Sequence, residues 1–166
     1  EADALAAALD LRWDPERATW RDTSTAPEPG RSRDGAPGEP PPARTLEALL
    51  PVLVTSDGDR AASALAQVVD DAAFGGRFGP AQVHRAEPTF DPEGYWRGPA
   101  WPQLTYLFWV AARRRGVPEA GDLAARLVAG AERSGFAEYW HPDTGHGLGA
   151  VPQSWAALAA VVTPPG

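Results

Sequence analysis

The sequence predicts an all-α fold, a partial toroid of αα-hairpins with long loops and short β-hairpins. Three observations predict it. Helical periodicity dominates from residue 44 onward, a nearly all-apolar helix alternates with an amphipathic one, and the connections are rich in Gly, Pro and aromatic residues.

The chain opens with EADALAAALD, an alanine-rich helical pattern without the basic start and long apolar run of a signal peptide. Leu11 to Trp20 follows, its aromatics flanking an Asp14-Pro15 turn signal, and reads as a short hairpin. Residues 1–22 are therefore expected to be a terminal helix and hairpin. Residues 23–43 hold Pro27, Pro29, Pro37, Pro40, Pro41 and Pro42 but no apolar period that would build a core, so a flexible loop is expected there.

Beyond it, Leu46, Leu49, Leu50 and Leu53 share one helical face, and Ala61, Leu65, Val68 and Val69 share another. Trp101 to Ala112, WPQLTYLFWVAA, has almost no polar side and should be buried all round. Gly116 stands where a helix is terminated and Pro118 where the next begins; Leu123, Leu127, Val128 and Ala131 then form a single apolar stripe. The pair reads as an inner helix followed by an outer one, because inner helices of a ring meet neighbours on every side and outer ones face water. About five or six helical segments are expected in all, fewer than a closed double ring requires. With a start that reads as mid-helix and no Met, the chain reads as a piece of something longer.

Composition narrows the function classes. A hydrophobic content of 43% suffices for a core. A net charge of −7 and a pI near 4.9 argue against a nucleic-acid partner, which needs a concentrated basic surface. No stretch is long and apolar enough for a membrane span. With no Cys there is neither a disulfide framework nor thiolate metal ligation, and a cytoplasmic location is expected.

Two clusters carry candidate chemistry. Phe90 to Trp101, FDPEGYWRGPAW, gathers Tyr95, Trp96 and Trp101 around Arg97 and Gly98. Flat aromatic faces stack on the C–H faces of a sugar, and a guanidinium offers several donors to its oxygens. The same rings could equally cap the core where a loop enters a helix. In Gly135 to Gly149, GFAEYWHPDTGHGLG, Glu138 stands among aromatics. Regular strand alternation would put Phe136, Glu138 and Trp140 on one face and Tyr139 on the other. Such a carboxylate suits a general base; the competing reading is a surface Glu paired with an Arg. His141 and His146 flank Asp143 in a spacing that a Pro142-Asp143-Thr144-Gly145 turn explains better than a metal does. His84 lies before the aromatic loop. Neither a metal nor an organic cofactor is expected.

Taken together, YWRGPAWPQLTYL, then GFAEYWHPDTGHGLG, then PQSWAAL resemble glycoside hydrolase family 63, in its mannosylglycerate/glucosylglycerate hydrolase-like branch, over roughly Arg44 to Val162. The resemblance implies that 44–166 is the C-terminal portion of an (α/α)6, six-hairpin catalytic domain. It implies inverting hydrolysis of small α-glycosides such as glucosylglycerate or mannosylglycerate, or of α-glucosidic oligosaccharide ends. On this pattern Glu138, in G-F-x-E-Y, matches the water-activating base. Tyr95, Trp96, Gly98 and Trp101 match the loop around the sugar and its hydroxylated acid aglycone, Gln153 matches a polar contact, and Arg97 holds the same loop. The family's general acid is an upstream aspartate for which no matching motif is found; Asp10, Asp14 and Asp22 stand in a different context. The expected partners are a small carbohydrate and the missing N-terminal half of the toroid, or a complementing subunit. The alternative is a noncatalytic carbohydrate-binding or degenerate half-domain.

Overall fold

A computed structural model describes residues 2–21 and 43–162 of the chain. The Pro/Gly-rich loop expected over 23–43 lies outside the described residues apart from Ala43. Among the described residues there are four α-helices, two 3₁₀ segments and four two-residue strands in two antiparallel ribbons. The chain is thus mainly helical.

Helix α1, Ala2–Asp10, leads into a ribbon in which β1, Trp13–Asp14, pairs with β2, Thr19–Trp20, placing Trp13 opposite Trp20. Asp14 Oδ1 accepts from the Glu16 and Arg17 N–H groups, the local bonding that lets Asp shape a turn. The ribbon is tied to the body by the Gln67 side-chain amide, which donates to the Ala18 carbonyl at 2.7 Å.

Leu46–Leu53 is helical but not α-helical. It is a 3₁₀ segment in which Leu46, Leu49 and Val52 are buried at a spacing of three, with Leu50 and Leu53 only partly buried. Pro51 inside the segment has no N–H to close a four-residue turn, and a three-per-turn winding carries the inward stripe to Val52 instead of Leu53. Helix α2, Gly58–Val69, starts at Asp57, whose side chain accepts from the Arg60 N–H, and buries Ala61, Ala64, Leu65 and Val68.

Helix α3, Pro102–Arg115, is the hub, packing on both 3₁₀ segments, on α2 and on α4. Pro102 at the first position needs no N–H partner, and Gly116 at φ 66 terminates the helix in the left-handed conformation. Contrary to the expectation of burial on every side, Gln103, Tyr106, Leu107 and Val110 form a half-buried stripe. The described elements cover that side only in part, so apolar composition overstated the enclosure. Helix α4, Glu119–Ser134, turns back and buries Leu123, Ala124, Leu127, Gly130 and Ala131, with a polar outer side. Trp101, Trp140, Phe74 and Phe108 are the largest fully buried side chains, and the core runs along the α3–α4 seam. No helix among the described residues is long and apolar enough to cross a membrane.

Candidate functional site

Three stretches, the first far from the other two in sequence, meet at the amino-terminal end of α3. The first is the long connection from Asp70 to Trp101. The second is the ribbon of β3, Tyr139–Trp140, with β4, Gly147–Leu148, and the third is Gly149 to Ser154–Ala160, the second 3₁₀ segment. Ala100 and Trp140 exchange both backbone hydrogen bonds, at 2.8 and 3.1 Å, which fixes the first stretch against the second.

The aromatic loop forms a stack. Trp96 lies on Trp101 with centroids 4.0 Å apart and planes within 10°, and Trp101 lies on Tyr139 at 4.5 Å. Tyr95 meets all three rings edge-on at 5.4–6.0 Å. Trp101 is buried in the middle, whereas Tyr95 and Trp96 are 57% and 42% exposed and form the open surface of the stack. Trp96 sits at φ 54, a sparsely populated conformation for a bulky residue. The tight turn around it supplies the constraint. Arg97 N–H donates to the Gly94 carbonyl, Asp91 N–H donates to the Arg97 carbonyl, and the Arg97 guanidinium pairs with the Asp91 carboxylate at 3.0 Å. Arg97 thus braces the loop. Gly98 lies so close to the Asp91 carbonyl that a Cβ there would stand 2.6 Å from its oxygen.

Glu138 is half-buried, and the third stretch surrounds its polar groups. Its N–H donates to the Ala150 carbonyl at 2.8 Å, the Ala150 N–H donates back to Oε2 at 3.1 Å, and the Trp155 indole N–H donates to the Glu138 carbonyl at 2.7 Å. Among the described residues no protein donor engages Oε1. Gly149, at φ 73, passes directly over the carboxylate, and a Cβ there would stand 2.6 Å from Oε2 and 2.7 Å from a Tyr139 ring carbon. The phenol of Tyr139 has its pKa raised by burial, with smaller contributions from the charge of Glu138 and from Tyr95.

Strand alternation fails here. Gly135 and Phe136 both take left-handed φ values, 70° and 59°, so the extended run begins only at Tyr139. Phe136 is turned out to solvent, Trp140 goes into the core with its indole N–H on the Phe78 carbonyl, and Tyr139 joins the stack beside Glu138. The expected face of Phe136, Glu138 and Trp140 is therefore corrected. Tyr139 and Trp155, neither of them among the site residues read from the sequence, belong to the cluster. The left-handed glycine that ends α4 was the available sign that regular alternation would not begin at Phe136. Gln153 uses its side-chain Oε1 to accept from the Ser154 N–H, capping the second 3₁₀ segment, while its own N–H donates to the Phe136 carbonyl. His141 serves the turn that the sequence indicates, its Nδ1 accepting from the Asp143 and Thr144 N–H groups.

Helical hairpins joined by long aromatic loops are the architecture of the toroidal glycoside hydrolases. The mannosylglycerate hydrolase MGH1-like glycoside hydrolase domain family matches residues 1–156, and the chain belongs to that family. It is 36% identical over 134 residues to a mannosylglycerate hydrolase of Thermus thermophilus, an alignment covering 78% of this chain and 32% of that protein. It is 47% identical over 73 residues to a glucosylglycerate hydrolase of Mycolicibacterium hassiacum, covering 43% of this chain and 16% of that one. The crystal structure of a GH63 mannosylglycerate hydrolase from Thermus thermophilus in complex with glucose superposes with a TM-score of 0.75 at 30% identity, over 93% of this chain and 35% of the other. The chain spans about a third of the length of the Thermus relatives it matches.

Proposed function

We propose that this chain contributes the water-activating side of an inverting glycoside hydrolase acting on a small α-glycoside such as glucosylglycerate or mannosylglycerate. Glu138 is the general base, Tyr95, Trp96, Gly98 and Trp101 form the sugar-facing wall, Arg97 braces that wall, and Gln153 supplies a polar contact after the last loop. One observation carries the reading. A half-buried carboxylate with one oxygen fixed by a backbone N–H stands beside Tyr139, one end of a ring stack whose other end, Trp96, is exposed. Base catalysis needs such a positioned carboxylate, and sugar binding needs such faces. Relatives named for hydrolysis of glucosylglycerate and mannosylglycerate supply the substrate class.

Inversion requires a second carboxyl group roughly 6.5–9.5 Å away to protonate the leaving oxygen. We assign that acid to a part of the toroid outside this chain, provided by a longer polypeptide or a complementing subunit. The acidic, cysteine-free composition suits a cytoplasmic setting.

The test measures glucosylglycerate turnover and tryptophan fluorescence with the chain alone and with the complementing portion of the toroid. Binding alone without turnover, turnover on complementation with the inverted anomer released, and a fall of about 10³-fold or more in Glu138→Gln are expected. Turnover by the chain alone, abolished in Glu138→Gln, would overturn the assignment of the acid. Binding with no turnover in either form would instead identify a sugar-binding half-domain.

A further inference from the structure

We infer that Trp155 is a positioning residue for Glu138, a role that rests on reading Glu138 as the base. The Glu138 peptide is held at both ends by one short segment. Ala150 takes its N–H and returns a donor to Oε2, and Trp155 takes its carbonyl through the indole N–H at 2.7 Å. One residue pair further back, the Gln153 N–H donates to the Phe136 carbonyl at 2.8 Å. The direction of the Glu138 side chain follows from the orientation of its peptide plane, and among the described residues Trp155 is the side chain that sets it.

The same indole lies 6.3 Å from Trp101, the buried middle ring of the stack. Trp155 therefore neighbours both parts of the site, bonding the carbonyl of the base through its N–H and lying tilted at 60° to the middle ring of the stack. It fixes the separation between the carboxylate and the rings on which the sugar would lie. Catalytic geometry is sensitive to such distances, with a displacement near 1 Å costing about 10²-fold in rate. A Phe at 155 would fill much of the same space and lack the donor, so ring packing and hydrogen bonding are separable here. Because Glu138 as a residue is only half-buried, water is expected to replace the lost donor, and the peptide gains freedom without the chain unfolding.

Ala150 supplies the readout, since its amide proton is bonded to Oε2, and the amplitude by which Glu138→Gln moves its shift measures that bond. The experiment compares this chain with forms carrying 3-benzothienylalanine at 155, which is isosteric and replaces N–H by sulfur, and with Trp155→Phe. The change in the Ala150 shift produced by Glu138→Gln is measured by NMR in each form at one pH. At least a halving of its amplitude and roughly tenfold faster exchange of that amide are expected in both. In the complemented enzyme kcat should fall about tenfold with KM unchanged. An Ala150 amplitude equal to that of the unsubstituted chain, even in a form of lowered melting temperature, would mean that Trp155 only packs, and would overturn the inference. A halved amplitude in a chain that hydrolyses no glycoside under any condition would leave the positioning intact and count against the hydrolase reading instead.

Discussion

Two groups of tryptophans in this chain look alike in sequence and differ in what they do. Trp13 and Trp20 meet edge-on at 4.6 Å across the amino-terminal ribbon, Trp20 is 2% exposed, and the Arg60 guanidinium covers Trp13. Trp96 and Trp101 stack in parallel, the outer ring remains open to solvent, and the stack continues to Tyr139, the chain neighbour of Glu138. The first pair finishes the core, and the second ends in an unfilled face. What separates a core cap from a sugar platform is therefore not aromatic content but the exposed face, together with a charged group fixed beside the stack. An exposed face forgoes burial energy, which a fold tolerates where a ligand recovers it.

The largest expected difference comes from deleting one ring on each side. Trp20→Ala removes an indole only 2% exposed and should cost about 3–5 kcal/mol in urea unfolding. Trp96→Gly loses a stacking partner yet relieves a left-handed φ, two opposed effects that should leave a cost of about 1–2 kcal/mol while abolishing any glycoside-dependent change in fluorescence. Equal losses of stability in the two variants, with ligand response intact in Trp96→Gly, would erase the distinction.

Gly149→Ala should come next. It places a methyl against both Glu138 Oε2 and the Tyr139 ring at a backbone φ of 73°. The conformational cost for an L-residue there is about 1–2 kcal/mol, and the neighbours must also move. Unfolding should register a loss of that order, and the Ala150 amide shift should cease to respond to Glu138→Gln. Retention of a full Ala150 response would show that the carboxylate tolerates displacement, and the site side would then be no more finely set than the ribbon.

Much of this contrast was legible before any coordinates. The apolar stripe of α4, the terminating Gly116 and the Asp14 turn follow from local rules, because periodicity and backbone conformation act within a few residues. The membership of the site was legible only in part. Tyr95, Trp96 and Trp101 stand within one motif, and Glu138 within another. Which neighbour of Glu138 turns toward the rings depends on two consecutive left-handed residues, and a period-two rule assigned it to Trp140 instead of Tyr139. Trp155 was invisible as a contact because its partner lies 17 residues away through a loop whose path no local preference fixes. Likewise, Pro51 was visible in the sequence, but its consequence, a three-per-turn winding that buries Val52, appears only when the core is assembled.

The smallest effect separates the two regions by pH. All three histidines lie on the site side, and His84 is the buried one, at the root of the aromatic loop. Its Nδ1 accepts from the Ala86 N–H, its ring meets Phe74 edge-on, and burial, followed by the neighbouring Arg44 charge, lowers its pKa from 6.5. The sign follows directly. Above pH 6.5 His84 is neutral whether folded or unfolded and its contribution is complete; as pH falls from 6.5 the unfolded chain gains a proton that the folded chain resists, so stability declines until the folded pKa is passed. Glu87, whose pKa is lowered from 4.5 chiefly by its hydrogen bond to Arg44, adds a second decline as pH falls below 4.5. Near-ultraviolet circular dichroism of the Trp96–Trp101 stack should therefore weaken in mild acid before the Trp13–Trp20 ribbon is disturbed. His84→Gln keeps an acceptor for the Ala86 N–H and cannot gain a proton, so it should remove the first decline and leave the second. If both aromatic groups lose their signals together at every pH, and His84→Gln changes nothing, the loop and the ribbon unfold as one unit and His84 has no separate hold on the site.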